Sequence, residues 1–317
     1  MEIAINAALT AVGLAMLCFG GNWLVNGGVI IAKKLRISNL IIGMTVVAYG
    51  TSTPELAASI AAAGDHGGII LGNIIGSNIA NIGMVIGIAA IMVPLLISRR
   101  TLRKEISIML GVSVLLIVLS LDGEISQYDG LLLIGSLIAF TIFTFRDAKK
   151  QRNENIENNE NNKNKNDTKS KVYLKAAALI VIGVTLLGVG AYLTVENAVV
   201  LAQEFGLSEK LIGLTVIAIG TSLPELITSV IAIRKGHTDI GVGNIIGSNI
   251  YNILMIMGVG AALGSVVIAS GVFIDYAIMI AFSASLLVAL KMGVINRVMG
   301  IALAIAYVAF LIFSFII

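Results

Sequence analysis

The 317-residue chain is 57% hydrophobic and 12% charged, with a formal net charge of +3. A soluble globular domain carries about 25% charged residues, so long apolar runs between short charged breaks predict an all-α polytopic membrane protein and leave no basic surface for nucleic acid. The single cysteine, Cys18, allows no intrachain disulfide.

Ten apolar segments follow one another along the chain. The first, near 5–32, lacks a basic leader and is too long for a cleavable signal, so it reads as a span. The second, near 38–63, contains GTSTPEL, and the third, near 68–97, contains GNIIGSNIAN. The fourth and fifth, near 106–121 and 130–145, are short enough to cross upright. Arg146–Lys171 is Asn-rich, charged and nearly free of apolar residues, which predicts a disordered tether over 146–172. The remaining five segments lie near 174–203, 211–233, 240–267, 272–290 and 298–316; the seventh carries GTSLPEL and the eighth GNIIGSNIYN.

The loops test the count. Twenty of the 21 Lys and Arg residues fall in odd-numbered loops, and only Lys210 falls in an even one. Cytoplasmic loops collect basic residues. Odd loops and the tether are therefore expected in the cytoplasm, with both termini outside, in the cell membrane.

The tether divides the chain into five-span halves, 1–145 and 173–317. Leu40–Ser59 and Lys210–Ser229 match at twelve of twenty positions, and GNIIGSNI occurs at both Gly72–Ile79 and Gly243–Ile250. Corresponding residues are 170 apart (Glu55, Glu225), rising to 171 (Ser77, Ser248). Five is odd, so the second copy enters the membrane from the opposite side. Ten transmembrane helices in two inverted-topology five-helix repeats are the expected fold, with a site at the repeat interface near the midplane.

The motifs supply that site's chemistry. Pro54 lacks an N–H and clashes one turn back, so a helix break is expected there, freeing carbonyls around Ala48–Thr51. Thr51 and Ser52 add hydroxyls and Glu55 a carboxylate; Ala218, Thr221, Ser222, Pro224 and Glu225 repeat the arrangement. Ser77 and Asn81 share a helix face, as do Ser248 and Asn252. The glycine pairs Gly72/Gly76 and Gly243/Gly247 suit close helix packing. Glu55 and Glu225 alone among the acidic residues fall deep within spans, whereas Glu196 and Asp275 sit near span ends. A carboxylate in that position is costly and marks function. With oxygen ligands only, and His66 and His237 in loops, the site suits hard cations; two carboxylates neutralise one Ca2+, Na+ can use the same oxygens, and protons compete.

On these residues the chain resembles the calcium/cation antiporter superfamily, in particular the prokaryotic sodium/calcium exchangers. GTSTPE with GNIIGSNIAN and GTSLPE with GNIIGSNIYN look like that family's alpha repeats, near 40–88 and 210–259. The resemblance implies Ca2+ and Na+ alternating at one site, with the first and sixth spans sliding to expose it. It implies the ligands Glu55, Thr51 and the Ala48 carbonyl with Ser77 and Asn81, matched by Glu225, Thr221, the Ala218 carbonyl, Ser248 and Asn252. Proton/calcium members carry a further acid after GN, where this chain has Ile74, Ile75, Ile245 and Ile246. Potassium-dependent members have Asp at the position of Asn252.

The expected function is Na+/Ca2+ antiport, with Ca2+/H+ exchange as the alternative and a cation channel as the rival from another class. No chemistry is catalysed and no cofactor is expected. The expected partners are the two ions and the lipid bilayer, with the monomer as the working unit. No P-loop suggests a pump.

Overall fold

A computed structural model describes residues 2–62, 67–96, 99–157, 169–206, 218–269 and 271–316. Asp65, His66, Glu209 and Lys210, the stretch 207–217 of the second tract and 158–168 of the tether lie outside them.

The described residues are helical, apart from loops and two minimal strand pairs. Among them, seven helices are long and apolar enough to cross a membrane, the first being Glu2–Leu35 and the last Arg297–Ser314. The other three apolar stretches fall short for local reasons. The one at 39–62 is diluted by the polar run Gly50–Glu55. Arg99–Leu119 opens on Arg99, Arg100, Arg103, Lys104 and Glu105. The start of the third, before Ala218, lies outside the described residues.

The expected break at Pro54 is not found: Ala48–Ala62 runs as one helix through the proline. Hydroxyls engage the two carbonyls just before that of Gly50, which Pro54 cannot serve: Thr51 Oγ1 lies 3.2 Å from the Ala48 carbonyl oxygen, and Thr53 Oγ1 donates to the Tyr49 carbonyl at 2.7 Å. In the second half the break is present. Ala218–Thr221 ends at Ser222 (φ −90°, ψ 2°), and Leu223–Arg234 restarts with Pro224 in its first turn, where no N–H is needed.

The tether also differs from expectation. Gln127–Glu157 continues helically through Arg146–Glu157, and a helix resumes at Lys169. The extension is pinned by neighbours. Lys104 Nζ lies 3.2 Å from Asp147 Oδ2 and 4.1 Å above the Phe143 ring, and the Ser38 N–H donates to Gln151 Oε1 at 3.3 Å.

Two long helices, Glu2–Leu35 and Lys169–Glu204, pack along a seam of small residues. A Cβ on Gly20 would lie 2.8 Å from the Gly183 carbonyl oxygen, and one on Gly190 2.8 Å from that of Gly13. Only glycine permits such an approach. These contacts exchange under the 170-residue offset, Gly13 with Gly183 and Gly20 with Gly190. The same exchange relates the strand pairs: Leu95–Leu96 pairs antiparallel with Val294–Ile295, and Glu124–Ile125 with Val266–Val267. It also relates the π-helical turns Asn81–Ile86 and Asn252–Met257.

At the centre, residues 240–258 are buried without exception. This helix is polar as well as apolar inside the protein, carrying Asn244, Ser248, Asn249 and Asn252. A helix enclosed on all faces must find a protein partner for each such group.

Candidate functional site

The central polar groups are arranged as a reciprocal network. Asn78 Nδ2 donates to the Asn249 carbonyl at 3.3 Å, and Asn249 Nδ2 to the Asn78 carbonyl at 3.2 Å. Asn81 Nδ2 donates to Asn249 Oδ1 at 2.9 Å, and Asn252 Nδ2 to Asn78 Oδ1 at 3.1 Å. The outer contacts, Asn78 to Met279 Sδ at 3.8 Å and Asn249 to Met109 Sδ at 3.7 Å, are exchanged as well. A local two-fold axis therefore passes between Asn78 and Asn249.

The predicted ligands flank this axis. Glu55 is 3% exposed and Glu225 0%. Ser52 Oγ and Ser248 Oγ each lie 3.4 Å from Glu225 Oε1 and 3.2 Å from one another. Thr51 Oγ1 lies 3.4 Å from Ser248 Oγ and donates to Asn244 Oδ1 at 3.1 Å. Its mate Thr221 is half-buried and donates to Asn73 Oδ1 at 3.5 Å. Asn252 touches the Glu55 carboxylate. Turned with its nitrogen toward it, it donates to Glu55 Oε2 at 2.9 Å and to the Ser248 carbonyl at 3.1 Å. In the orientation that instead donates to Asn78, its oxygen faces the Glu55 carboxylate, an opposition relieved by a shared proton or cation.

Several buried polar atoms in this group have no partner within the protein. Six such buried side-chain atoms occur among the described residues: Glu55 Oε1, Ser77 Oγ, Asn81 Oδ1, Ser222 Oγ, Glu225 Oε2 and Thr228 Oγ1. Five belong to residues the sequence nominated. Buried acceptors in this state cost about 1–3 kcal/mol each, more when charged, and a cation relieves several at once. The donor set is carboxylate, hydroxyl and amide oxygen, which suits hard cations. Among the described residues no three His, Cys, Asp or Glu side chains cluster, so the site's charge comes from the glutamate pair.

Ala48 is buried beside this group, its carbonyl engaged by Thr51; Ala218 begins the short helix before the Ser222 turn. Sequence reasoning missed Asn73, Asn78, Asn244 and Asn249, although each recurs in GNIIGSNI. It also missed Thr228, whose counterpart 170 residues earlier is Ala58. Glu105, placed by the sequence at a loop edge, is also buried, at 5% exposure.

The chain is similar to known proteins over most of its length. The family model described as sodium/calcium exchanger protein matches residues 5–146 and 175–316. The chain is 38% identical to the putative antiporter CaxA of Alkalimonas amylolytica, over 94% of this chain and 95% of that one. It is 36% identical to the sodium/calcium exchanger MaX1 of Methanosarcina acetivorans, over 99% of both. Among solved structures, the sodium-calcium exchanger NCX_Mj soaked with zero Na+ and Ca2+ superposes with a TM-score of 0.83 at 31% identity, covering 97% of this chain and 98% of the other. The chain belongs to the sodium/calcium exchanger family.

Proposed function

We propose that the chain is a secondary antiporter that exchanges Na+ for Ca2+ by alternating access at the glutamate pair. The observation that carries this reading is the pairing of two buried carboxylates, each with an unpartnered oxygen, inside a shell of hydroxyl and amide oxygens. The names of MaX1 and NCX_Mj support the choice of ions. Two ionised glutamates neutralise one Ca2+, or hold Na+ ions spread over the same oxygens. Both cargoes cannot occupy those oxygens together, so movement of one is tied to counter-movement of the other.

The proposal includes ten spans in two inverted halves, with Ala48, Thr51, Ser52, Glu55, Ser77, Asn81, Ala218, Thr221, Ser222, Glu225, Ser248 and Asn252 around the cargo. The exchange of contacts between halves supports the repeat, and the odd-loop basic residues support cytoplasmic placement of the 146–172 tether. The first and sixth spans, joined along their glycine seam, are the moving pair that exposes the site to either side in turn. The monomer contains both halves and is the proposed transporting unit.

Glu55→Gln or Glu225→Gln should abolish Na+-driven 45Ca2+ uptake into proteoliposomes; exchange persisting at the wild-type rate would overturn the assignment. Ca2+/H+ exchange is the second reading, favoured by the unpartnered, buried Glu55 Oε1 and Glu225 Oε2, which a proton can occupy in place of a metal ion. Imposing Na+, K+ and H+ gradients separately distinguishes the two.

A further inference from the structure

One cationic side chain lies where the buried site approaches the end of its helix. Leu223–Arg234 carries Glu225 and, one turn on, Thr228, whose buried Oγ1 has no partner. Thr228 faces the Glu2–Leu35 helix at Gly21, where a Cβ would sit 3.0 Å from that hydroxyl oxygen. The next residue on the opposing helix is Asn22, and Asn26 follows one turn later. Lys235 caps the glutamate helix, ten residues beyond Glu225 and so roughly 15 Å along the axis. Its ammonium donates to Asn22 Oδ1 and, at 2.8 Å, to Asn26 Oδ1.

Two features separate this contact from an ordinary surface lysine. Among the described residues no carboxylate lies within ion-pair distance of Lys235; the one ion pair found there is Lys104–Asp147. Burial, with Lys33 and Lys235 nearby, also holds the neighbouring His237 imidazole below its ordinary pKa. Among the described residues, the Lys235 ammonium is thus held by neutral amide oxygens alone. The arrangement also belongs to one half only. In the sequence, the positions related by 170 residues are Asp65, Tyr192 and Glu196, so neither the lysine nor the two asparagines recur.

We propose that Asn22 and Asn26 form a cation subsite beside the end of the helix that carries Glu225, and that the Lys235 ammonium fills it until a monovalent cation such as Na+ displaces it. Two amide oxygens without a carboxylate are suited to a single charge, not to Ca2+, which draws on anionic ligands. The unpartnered Thr228 hydroxyl lies between this subsite and Glu225 along the same helix seam. Lys235 acts as a tethered competitor that lowers the apparent Na+ affinity of this subsite. The subsite's part in transport rests on the exchange reading above, but its cation binding does not.

The test therefore reads binding in the full chain with the central pair disabled. In a Glu55→Gln/Glu225→Gln background, adding Lys235→Met should create a saturable Na+-dependent rise in thermal midpoint over a choline control. Adding Asn26→Leu should remove it. Lys235→Gln is the second variant, and monodispersity on size exclusion verifies folding. Absence of a Na+-specific rise in both lysine variants, or its persistence after Asn22→Leu and Asn26→Leu together, overturns the subsite. In the otherwise native chain, Lys235→Met should lower the half-saturating Na+ concentration several-fold without a matching change for Ca2+; equal changes for both ions also overturn it. A wild-type chain with no Na+-driven Ca2+ flux would refute the exchange reading and leave the binding result to decide the subsite.

Discussion

Removing either asparagine at the two-fold axis should cost nearly the same, and removing both should cost less than the sum. Asn249→Ala leaves the Asn81 amide donor and the Asn78 carbonyl without their bonds of 2.9 and 3.2 Å. Asn78→Ala does the same to the Asn252 amide and the Asn249 carbonyl, at 3.1 and 3.3 Å. Each buried group left unsatisfied costs about 1–3 kcal/mol, so each single change should cost on the order of 2–5 kcal/mol. Both substitutions disrupt one connected network, so the coupling energy should be about 0.5–3 kcal/mol. The assay is thermal unfolding of the purified protein by fluorescence-detected size exclusion, in a double-mutant cycle with Asn78→Ala, Asn249→Ala and the pair. Strict additivity, or a loss confined to one of the two, would refute the reciprocal network and with it the local axis.

Other expectations follow from single contacts. Gly247→Ala would put a Cβ 2.6 Å from the Met44 carbonyl oxygen and 2.7 Å from the Ala48 Cβ. Overpacking of this kind costs about 1–3 kcal/mol, so its thermal midpoint should fall, whereas Gly135→Ala, at an exposed and open position, should not lower it. Thr228→Val removes an unpartnered hydroxyl while keeping the side chain's shape, so the thermal midpoint should hold or rise; a clear fall would show that the hydroxyl is satisfied within the protein. Asp147→Asn should loosen the helical extension beyond Arg146 by less than about 1 kcal/mol, read as faster hydrogen exchange over 146–157, and the difference should shrink in high salt. An unchanged exchange rate at low salt would remove the ion pair from the account.

What the sequence disclosed was the part with chemical contrast. A glutamate inside an apolar run stands out, and having it twice at one offset pointed to a pair. Asn78 and Asn249 sat in the same repeated motif but were overlooked, because helical spacing singled out Ser77 with Asn81 and left the intervening asparagine unassigned. Their role needs two helices from different halves side by side, which no local pattern encodes. Pro54 misled for a related reason: its local rule predicts a break, while the helix Ala48–Ala62, packed among its neighbours, continues through it. The tether's composition argued for disorder, yet Lys104, Phe143 and Ser38, all distant in sequence from 146–157 or on its rim, give its first part something to lean on.

The glycine seam carries a mechanical implication. Where carbonyl oxygens of one helix meet glycines of another at a spacing no larger residue allows, the two cannot separate without losing contact along their whole length. In the exchange cycle proposed above, such a pair would move as a single beam, covering one face of the protein by the stroke that uncovers the other. Leak prevention would then follow from rigidity and would need no pair of independently timed gates.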